Sequence, residues 1–241
     1  MADFEVPTAS DAALADRLAL LIPALRDAMQ RAPDPQLPSL SASRLEDILI
    51  RLRDPLSEAT RGGAFVEVWS VAGLRRNELR NAAVLAWCLD PQGSHGLGGR
   101  VLMALFGRLR PQLPRLDLER LGNASVVTEE CPLGDDENRV DIGITGDDFV
   151  AFLEVKVDAG LGHLQLERYV EAAAAKRAAL GKEHAFVMLL VPKGFRGSHR
   201  EAITLTWRDM ARVLDSASAQ APAASLTETL FRHFADHVRQ F

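Results

Sequence analysis

The stretch Phe149 to Gly160, FVAFLEVKVDAG, puts two charged side chains inside a run otherwise composed for burial. Glu154 and Lys156 flank Val155, with Phe149, Val150, Phe152, Leu153 and Val157 around them. A run this rich in β-branched and aromatic residues predicts a strand from Phe149 to Val157. Side chains alternate along a strand, so Glu154 and Lys156 share one face and stand ~7 Å apart along it. Leu153, Val155 and Val157 take the opposite face.

Working outward, Arg139 to Thr145 predicts the preceding strand, with Val140, Ile142 and Ile144 on an apolar face and Arg139 and Asp141 on the other. If Asp147-Asp148 are the central residues of a tight hairpin, Gly146 pairs with Phe149. Counting back, Asp141 falls opposite Glu154, and Arg139 opposite Lys156. Opposed residues have Cβ atoms ~5 Å apart on one face, and like charges so placed destabilise a sheet. A longer loop would change this pairing. A bridging divalent cation removes the conflict, and Mg²⁺, which prefers hard oxygen ligands, suits a pair of carboxylates. Lys156 would then orient or help deprotonate an attacking water, or stabilise charge on a phosphate oxygen. The competing reading is a solvated sheet face on which the four charges form surface ion pairs.

The remaining chain predicts a mixed α/β protein. Asp11 to Ala32 carries Leu14, Leu18, Leu21, Leu25 and Met29 at helical spacing behind Ser10 as N-cap. A Pro- and Ser-rich loop, residues 32–43, separates it from a second helix, Ser43 to Arg53, with Ser43 and Glu46 as a capping box and Asp54-Pro55 as its stop. Arg61 to Gly73 fits helix or strand. Helices follow at Asn77 to Leu89 and Gly98 to Leu109, then strands at Ser125 to Cys131, 139–145 and 149–157. Next come a long helix, Leu161 to Leu180, a doubly buried strand, Ala185 to Val191, a short strand, Ile203 to Thr206, and helices near 207–216 and 225–239. This order is an antiparallel meander followed by a βαβ crossover, with residues 1–70 a helical extension and 71–241 the core.

Composition narrows the function classes. The 241 residues are 47% hydrophobic and 25% charged, ordinary for a globular protein. The net charge of −5 argues against a surface coated in positive charge for non-specific nucleic-acid binding, though Arg and Lys gather in GLRRNELR, GRLRPQLPR and KGFRGSHR. Cys88 and Cys131 have no zinc spacing, which fits free thiols in a reducing cytoplasm. No secretion signal and no apolar run approaching the ~20 residues of a membrane span is present, so no membrane partner is expected.

Asp141, twelve residues and Glu154-Val155-Lys156 together resemble the PD-(D/E)XK nuclease superfamily, with Val140 where the literal pattern has proline. Glu78, on the helix before the meander, matches the extra acid that family often places there. It shares a helical face with Ala82 and Leu85; its other reading is a first-turn Glu complementing the helix dipole. Gln165 and Tyr169 resemble the Q-h-x-x-Y motif of RecB-type nucleases and, at i and i+4, share a face. The segment AWCLDPQGSHGLGGRVL, residues 86–102, resembles one in a poorly characterised branch of the superfamily. The resemblance spans roughly residues 75–240. It implies a restriction-endonuclease-like core: helix, three-stranded antiparallel meander, helix and strand. It also implies a Mg²⁺- or Mn²⁺-dependent nuclease acting on nucleic acid, DNA being the expected substrate. Asp141, Glu154, the Val155 carbonyl and Glu78 would hold the metal, and Lys156 would activate water. Gln165, Tyr169 and Arg139 would position substrate. The alternative is a nuclease fold kept as an interaction module, and a homodimer is an allowed assembly. His95, a lone loop histidine, stays outside the expected site.

Overall fold

The hairpin between Thr145 and Val150 sets the sheet. Gly146 N–H donates to the Phe149 carbonyl at 3.0 Å, leaving Asp147-Asp148 as the two central residues of a tight turn. From there Thr145 pairs with Val150, Ile144 with Ala151, Gly143 with Phe152 and Ile142 with Leu153. This is the register expected from the sequence for these residues; the ladder ends at Ile142 and Leu153, one pair short of Asp141 and Glu154. Gly146 suits the turn because a Cβ there would come within 2.1 Å of the Phe149 ring.

The computed structural model describes residues 41–63, 65–113, 116–131, 139–158, 160–162, 164–195 and 200–241. The predicted helix at 11–32 lies outside them, as does most of the loop at 32–43. The chain divides into two units, Met1–Phe65 and Val66–Phe241. In the first, α1 spans Ala42–Arg61, with Ser41 rather than Ser43 as N-cap. It runs on through Pro55, past the stop expected at Asp54-Pro55. Proline removes one intrahelical hydrogen bond. None of this helix is buried, so water can satisfy the carbonyl left over.

In the second unit, the ambiguous segment near residue 70 is one short helix, α2 (Val68–Val71). Then follow α3 (Glu78–Leu89), α4 (Arg100–Arg108), a 3₁₀ turn (Leu118–Asn123), β1 (Ser125–Glu130), β2 (Val140–Thr145) and β3 (Phe149–Val155). The chain continues with α5 (Gln165–Ala179), β4 (His184–Val191), β5 (Ala202–Thr206), α6 (Trp207–Ser218) and α7 (Leu226–Val238). The sheet order is β1-β2-β3-β4-β5; the first three strands are antiparallel, while β3, β4 and β5 are parallel. The predicted meander and crossover are both present.

The strands sort their side chains onto two layers. Ile142, Ile144, Phe149, Ala151, Leu153 and Val155 pack with α3, α4, α6 and α7. Val150, Phe152, Val187 and Leu189 pack beneath α5, against Leu166, Tyr169, Ala172 and Ala173. One placement departs from strict alternation: Val140 joins the α5 layer rather than the layer of Ile142 and Ile144. The β1–β2 ladder is interrupted there. Thr128 pairs with Ile142 and Glu130 with Val140, while Glu129 between them holds a left-handed φ of 49°. The break resets the alternation at Asp141.

Helix α5 is also tied to the sheet by charge. Lys176 forms an ion pair with Glu130, and both side chains are largely buried. Glu130 fits there because position 143 is glycine; an ideal Cβ on Gly143 would lie 1.5 Å from Glu130 Oε2. Gly143→Ala is expected to destabilise the protein by about 1–3 kcal/mol, the range for overpacking a core. Gly107→Ala, in α4 where a Cβ meets nothing within 4 Å, is expected to be neutral or to stabilise by up to about 1 kcal/mol. Urea denaturation of both variants checks the contrast; equal effects would contradict the packing.

Candidate active site

Glu154 is 2% exposed and Lys156 9%, so the pair does not lie on a solvated sheet face. Lys156 Nζ approaches Glu154 Oε1 at 2.7 Å. A buried charge pair is tolerated only when its remaining polar atoms are met by further partners. Here Gln165 Nε2 donates to the same Glu154 oxygen at 2.7 Å and contacts the Tyr169 hydroxyl at 2.9 Å. Tyr169 in turn donates to the Arg139 carbonyl at 2.7 Å, and Gly162 N–H donates to Gln165 Oε1 at 3.0 Å. The i, i+4 spacing read from the sequence therefore places both side chains at the carboxylate. Among the described residues, Glu154 Oε2 is buried with no hydrogen-bond partner.

The strand that carries this pair is stopped on purpose by side chains. Asp141 Oδ2 accepts the Val155 N–H at 2.7 Å, where a continuing ladder would put a backbone carbonyl. Beyond it, Lys156 N–H donates to the Leu190 carbonyl at 2.8 Å, and Trp207 Nε1 donates to the Lys156 carbonyl at 2.8 Å. The lysine backbone is thus held from both sides. Glu78, on the first turn of α3, accepts Val157 N–H at 2.7 Å and Asp158 N–H at 3.2 Å through Oε1. Arg76 bonds both Asp158 oxygens, at 2.8 and 2.9 Å, and the Val157 carbonyl at 3.1 Å. The α3 entry and the β3 exit are laced together.

Arg139 is not a ladder partner of Lys156, since β2 begins at Val140 and β3 ends at Val155. Its guanidinium lies 3.4 Å from Glu129, while its carbonyl serves Tyr169. His95 is buried and occupied: Nδ1 accepts Leu97 N–H at 3.0 Å and Nε2 faces the Asp90 carbonyl at 2.9 Å. It braces the loop after α3. Trp207, Arg76 and Asp158 were not singled out from sequence. Trp207 opens α6 inside a Thr206–Asp209 capping box, which marks a helix start and says nothing of a partner on β3.

The electrostatics follow from the burial. Desolvation, then the facing Asp141 carboxylate, push the Glu154 pKa up to about 7 against the opposing pull of Lys156. Desolvation also raises Asp141; its Val155 bond and Lys156 oppose this, and Glu78 adds to it. For Lys156, desolvation lowers the pKa, but Glu154, Glu78 and Asp141 together outweigh it and raise it. The ammonium therefore stays charged at neutral pH. Three acidic side chains and one lysine feel one another in a poorly solvated space.

Among the described residues, no group of three or more His, Cys, Asp or Glu side chains is gathered as a metal-holding cluster. Asp141, Glu154 and Glu78 each direct one oxygen at a protein donor instead. The donor set nonetheless fits a hard divalent cation: it is all carboxylate oxygen, the carboxylates repel one another, and Glu154 Oε2 is buried without a partner.

A five-stranded mixed sheet, entered by a helix and a meander, with Glu-Val-Lys at the exit of its central strand and an Asp accepting that strand's last amide, defines a restriction-endonuclease-like α/β protein. The chain belongs to the PD-(D/E)XK nuclease superfamily, whose family model matches residues 66–236. That family generally hydrolyses nucleic acids. No curated protein and no solved structure gives a match. No helix among the described residues is long and apolar enough to cross a membrane.

The raised Glu154 pKa makes a testable demand. The folded state holds this proton more tightly than the unfolded chain, whose Glu sits near 4.5. Between about pH 4.5 and 7 the folded protein therefore binds more protons, and stability must fall as pH rises through that window. In EDTA the contribution is on the order of 3 kcal/mol, lost by pH 8. Calorimetry is expected to show this decline in the parent protein and a flatter profile in Glu154→Gln. Parallel profiles would remove Glu154 as the titrating group.

Proposed function

We propose that the protein is a divalent-metal-dependent nuclease that hydrolyses phosphodiester bonds, with DNA as substrate. The observation that carries this reading is the buried Glu154, pressed toward protonation by burial and then by Asp141, yet retained beside a charged lysine. A purely structural sheet gains nothing from two opposed carboxylates, because apolar residues of similar volume would stabilise the same position at least as well.

In this reading Asp141 and Glu154 hold Mg²⁺ or Mn²⁺, with the Val155 carbonyl and Glu78 as further oxygen donors. The bound ion would polarise the phosphoryl oxygens and lower the pKa of an attacking water. Lys156 supplies fixed positive charge and hydrogen-bond donors to that water and to the charge developing on the phosphate. Its raised pKa favours this role over that of a general base. Gln165 and Tyr169 hold Glu154 in one orientation, which serves the same end as any preorganised support around a reacting group. Arg139 stands at the edge of this network as a phosphate contact. The basic stretch near residues 75–80 would flank the substrate path, letting an acidic chain meet a polyanion; the other basic stretch expected there, 193–200, lies partly outside the described residues. A cytoplasmic location agrees with this reading and with the free Cys88 and Cys131.

The competing class is a nuclease fold that binds without cutting. Purified protein incubated with single- and double-stranded DNA and RNA, in Mg²⁺, Mn²⁺ or EDTA, separates the two. Metal-dependent cleavage is expected with DNA. Asp141→Ala and Lys156→Ala are each expected to lower it by at least ~100-fold, as for other groups acting directly on transition-state charge. Cleavage surviving in both variants would refute the assigned site, and binding without cleavage in the parent would favour the interaction module.

A further inference from the structure

The turn before α3 holds an arginine in a backbone conformation that arginine disfavours. Arg75 has a φ of +44°, and of the four described non-glycine residues with positive φ, three belong to segments that adjoin the carboxylates. Glu129 lies opposite Asp141, Leu164 directly precedes Gln165, and Arg75 comes three residues before Glu78. Such conformations persist where surrounding contacts over-determine them, and they gather at functional sites.

The contacts that impose this one are specific. Asn81 is completely buried, and its Nδ2 donates to the Arg75 carbonyl at 3.0 Å and to the Asn77 carbonyl at 2.8 Å. Its Oδ1 faces His237 Nε2 at 3.1 Å. The His237 ring is in turn fixed by Phe234, stacked at 6.3 Å, and by Phe241, edge-on at 5.2 Å. Phe241 also lies beneath the Arg76 guanidinium, at 5.1 Å. An amide, an imidazole and two phenyl rings thus clamp the turn from below.

The cations this turn carries are not equivalent. Arg76 is engaged by Asp158 and the Val157 carbonyl, and Arg80 donates to the Gly73 carbonyl at 2.7 Å. Arg75 is exposed, and among the described residues its guanidinium has no partner. The turn itself is fastened to the two residues that follow Lys156, through Arg76 to Asp158 and through Glu78 to the amides of Val157 and Asp158. A guanidinium with no partner among the described residues is thereby carried on a turn fastened to the residues that follow Lys156. Guanidinium is the side chain whose planar fork best matches phosphate oxygens.

We infer that Arg75 is a substrate-positioning residue that contacts a backbone phosphate of the bound nucleic acid, and that the Asn81–His237 clamp holds its turn in place. This rests on the nuclease reading above. A mere structural strain point would leave the guanidinium dispensable.

Arg75→Gly separates the two, because glycine accepts a positive φ without penalty while the guanidinium is removed. The full-length parent, Arg75→Gly and Arg75→Lys are compared by fluorescence anisotropy with labelled single- and double-stranded DNA in EDTA over a range of KCl. Thermal unfolding of each is recorded in parallel. Arg75→Gly is expected to unfold at the same temperature as the parent or higher, yet to bind about tenfold more weakly, as for about one lost charge-assisted hydrogen bond. Its slope of log affinity against log salt is expected to fall by about one phosphate contact. Arg75→Lys, which keeps the charge, recovers part of the loss. In Mg²⁺ the Arg75→Gly defect should appear in KM more than in kcat. Parent-like binding by Arg75→Gly overturns the inference while leaving the nuclease reading intact. Weaker binding accompanied by an equal loss of thermal stability assigns Arg75 to structure and also overturns it. A parent protein that neither binds nor cleaves nucleic acid removes both readings together.

Discussion

A carboxylate held inside the sheet governs the arrangement of everything near it. Glu154 cannot be left alone at 2% exposure, and the chain surrounds it with Lys156, Gln165 and, through Gln165, Tyr169. Each of those groups needs its own anchor. Trp207 and the Leu190 carbonyl hold the lysine backbone, and the Arg139 carbonyl receives the tyrosine hydroxyl. Four elements distant in sequence, β2, β4, α5 and the start of α6, are therefore committed to one charged position on β3. This is the pattern of a preorganised site, in which supporting contacts fix the rotamers of the groups that meet substrate.

The same residues end the strand. Asp141 and Glu78 take backbone amides that a longer β3 would have offered to a neighbouring strand. The β2–β3 ladder ends there, and two carboxylates serve as the terminators. Their structural work and their proposed chemical work are compatible, because a carboxylate that accepts an amide through one oxygen has a second oxygen for another ligand. Arg76 and Asp158 lace α3 to the β3 exit beside them.

Much of the core was legible because its period was clean. The alternation in FVAFLEVKV, the continuous apolar run of β4 and the two-residue turn at Asp147-Asp148 lead directly to the meander, the crossover and the register. Departures arose where a local rule met a tertiary or solvent condition. Pro55 does not end α1, since that helix has no buried face to disturb. Val140 leaves its expected layer because Glu129 breaks the ladder beside it. Arg139 falls short of Lys156 because side chains end the ladder before that position could pair.

The sequence by itself determined the hairpin that lays β2 beside β3 and the register of its paired residues, since strand periodicity and turn length are local properties of the chain. It also placed Gln165 and Tyr169 together, because i, i+4 spacing on a helix is local as well. Whether the Glu154 face of β3 would be wet or dry was decided only when α5 closed over it, and with that closure came the raised pKa of Glu154. The supports at Trp207, Asn81 and His237 likewise belong to the tertiary structure. A hydrogen bond between residues 51 or 156 positions apart leaves no periodic trace in the chain that makes it.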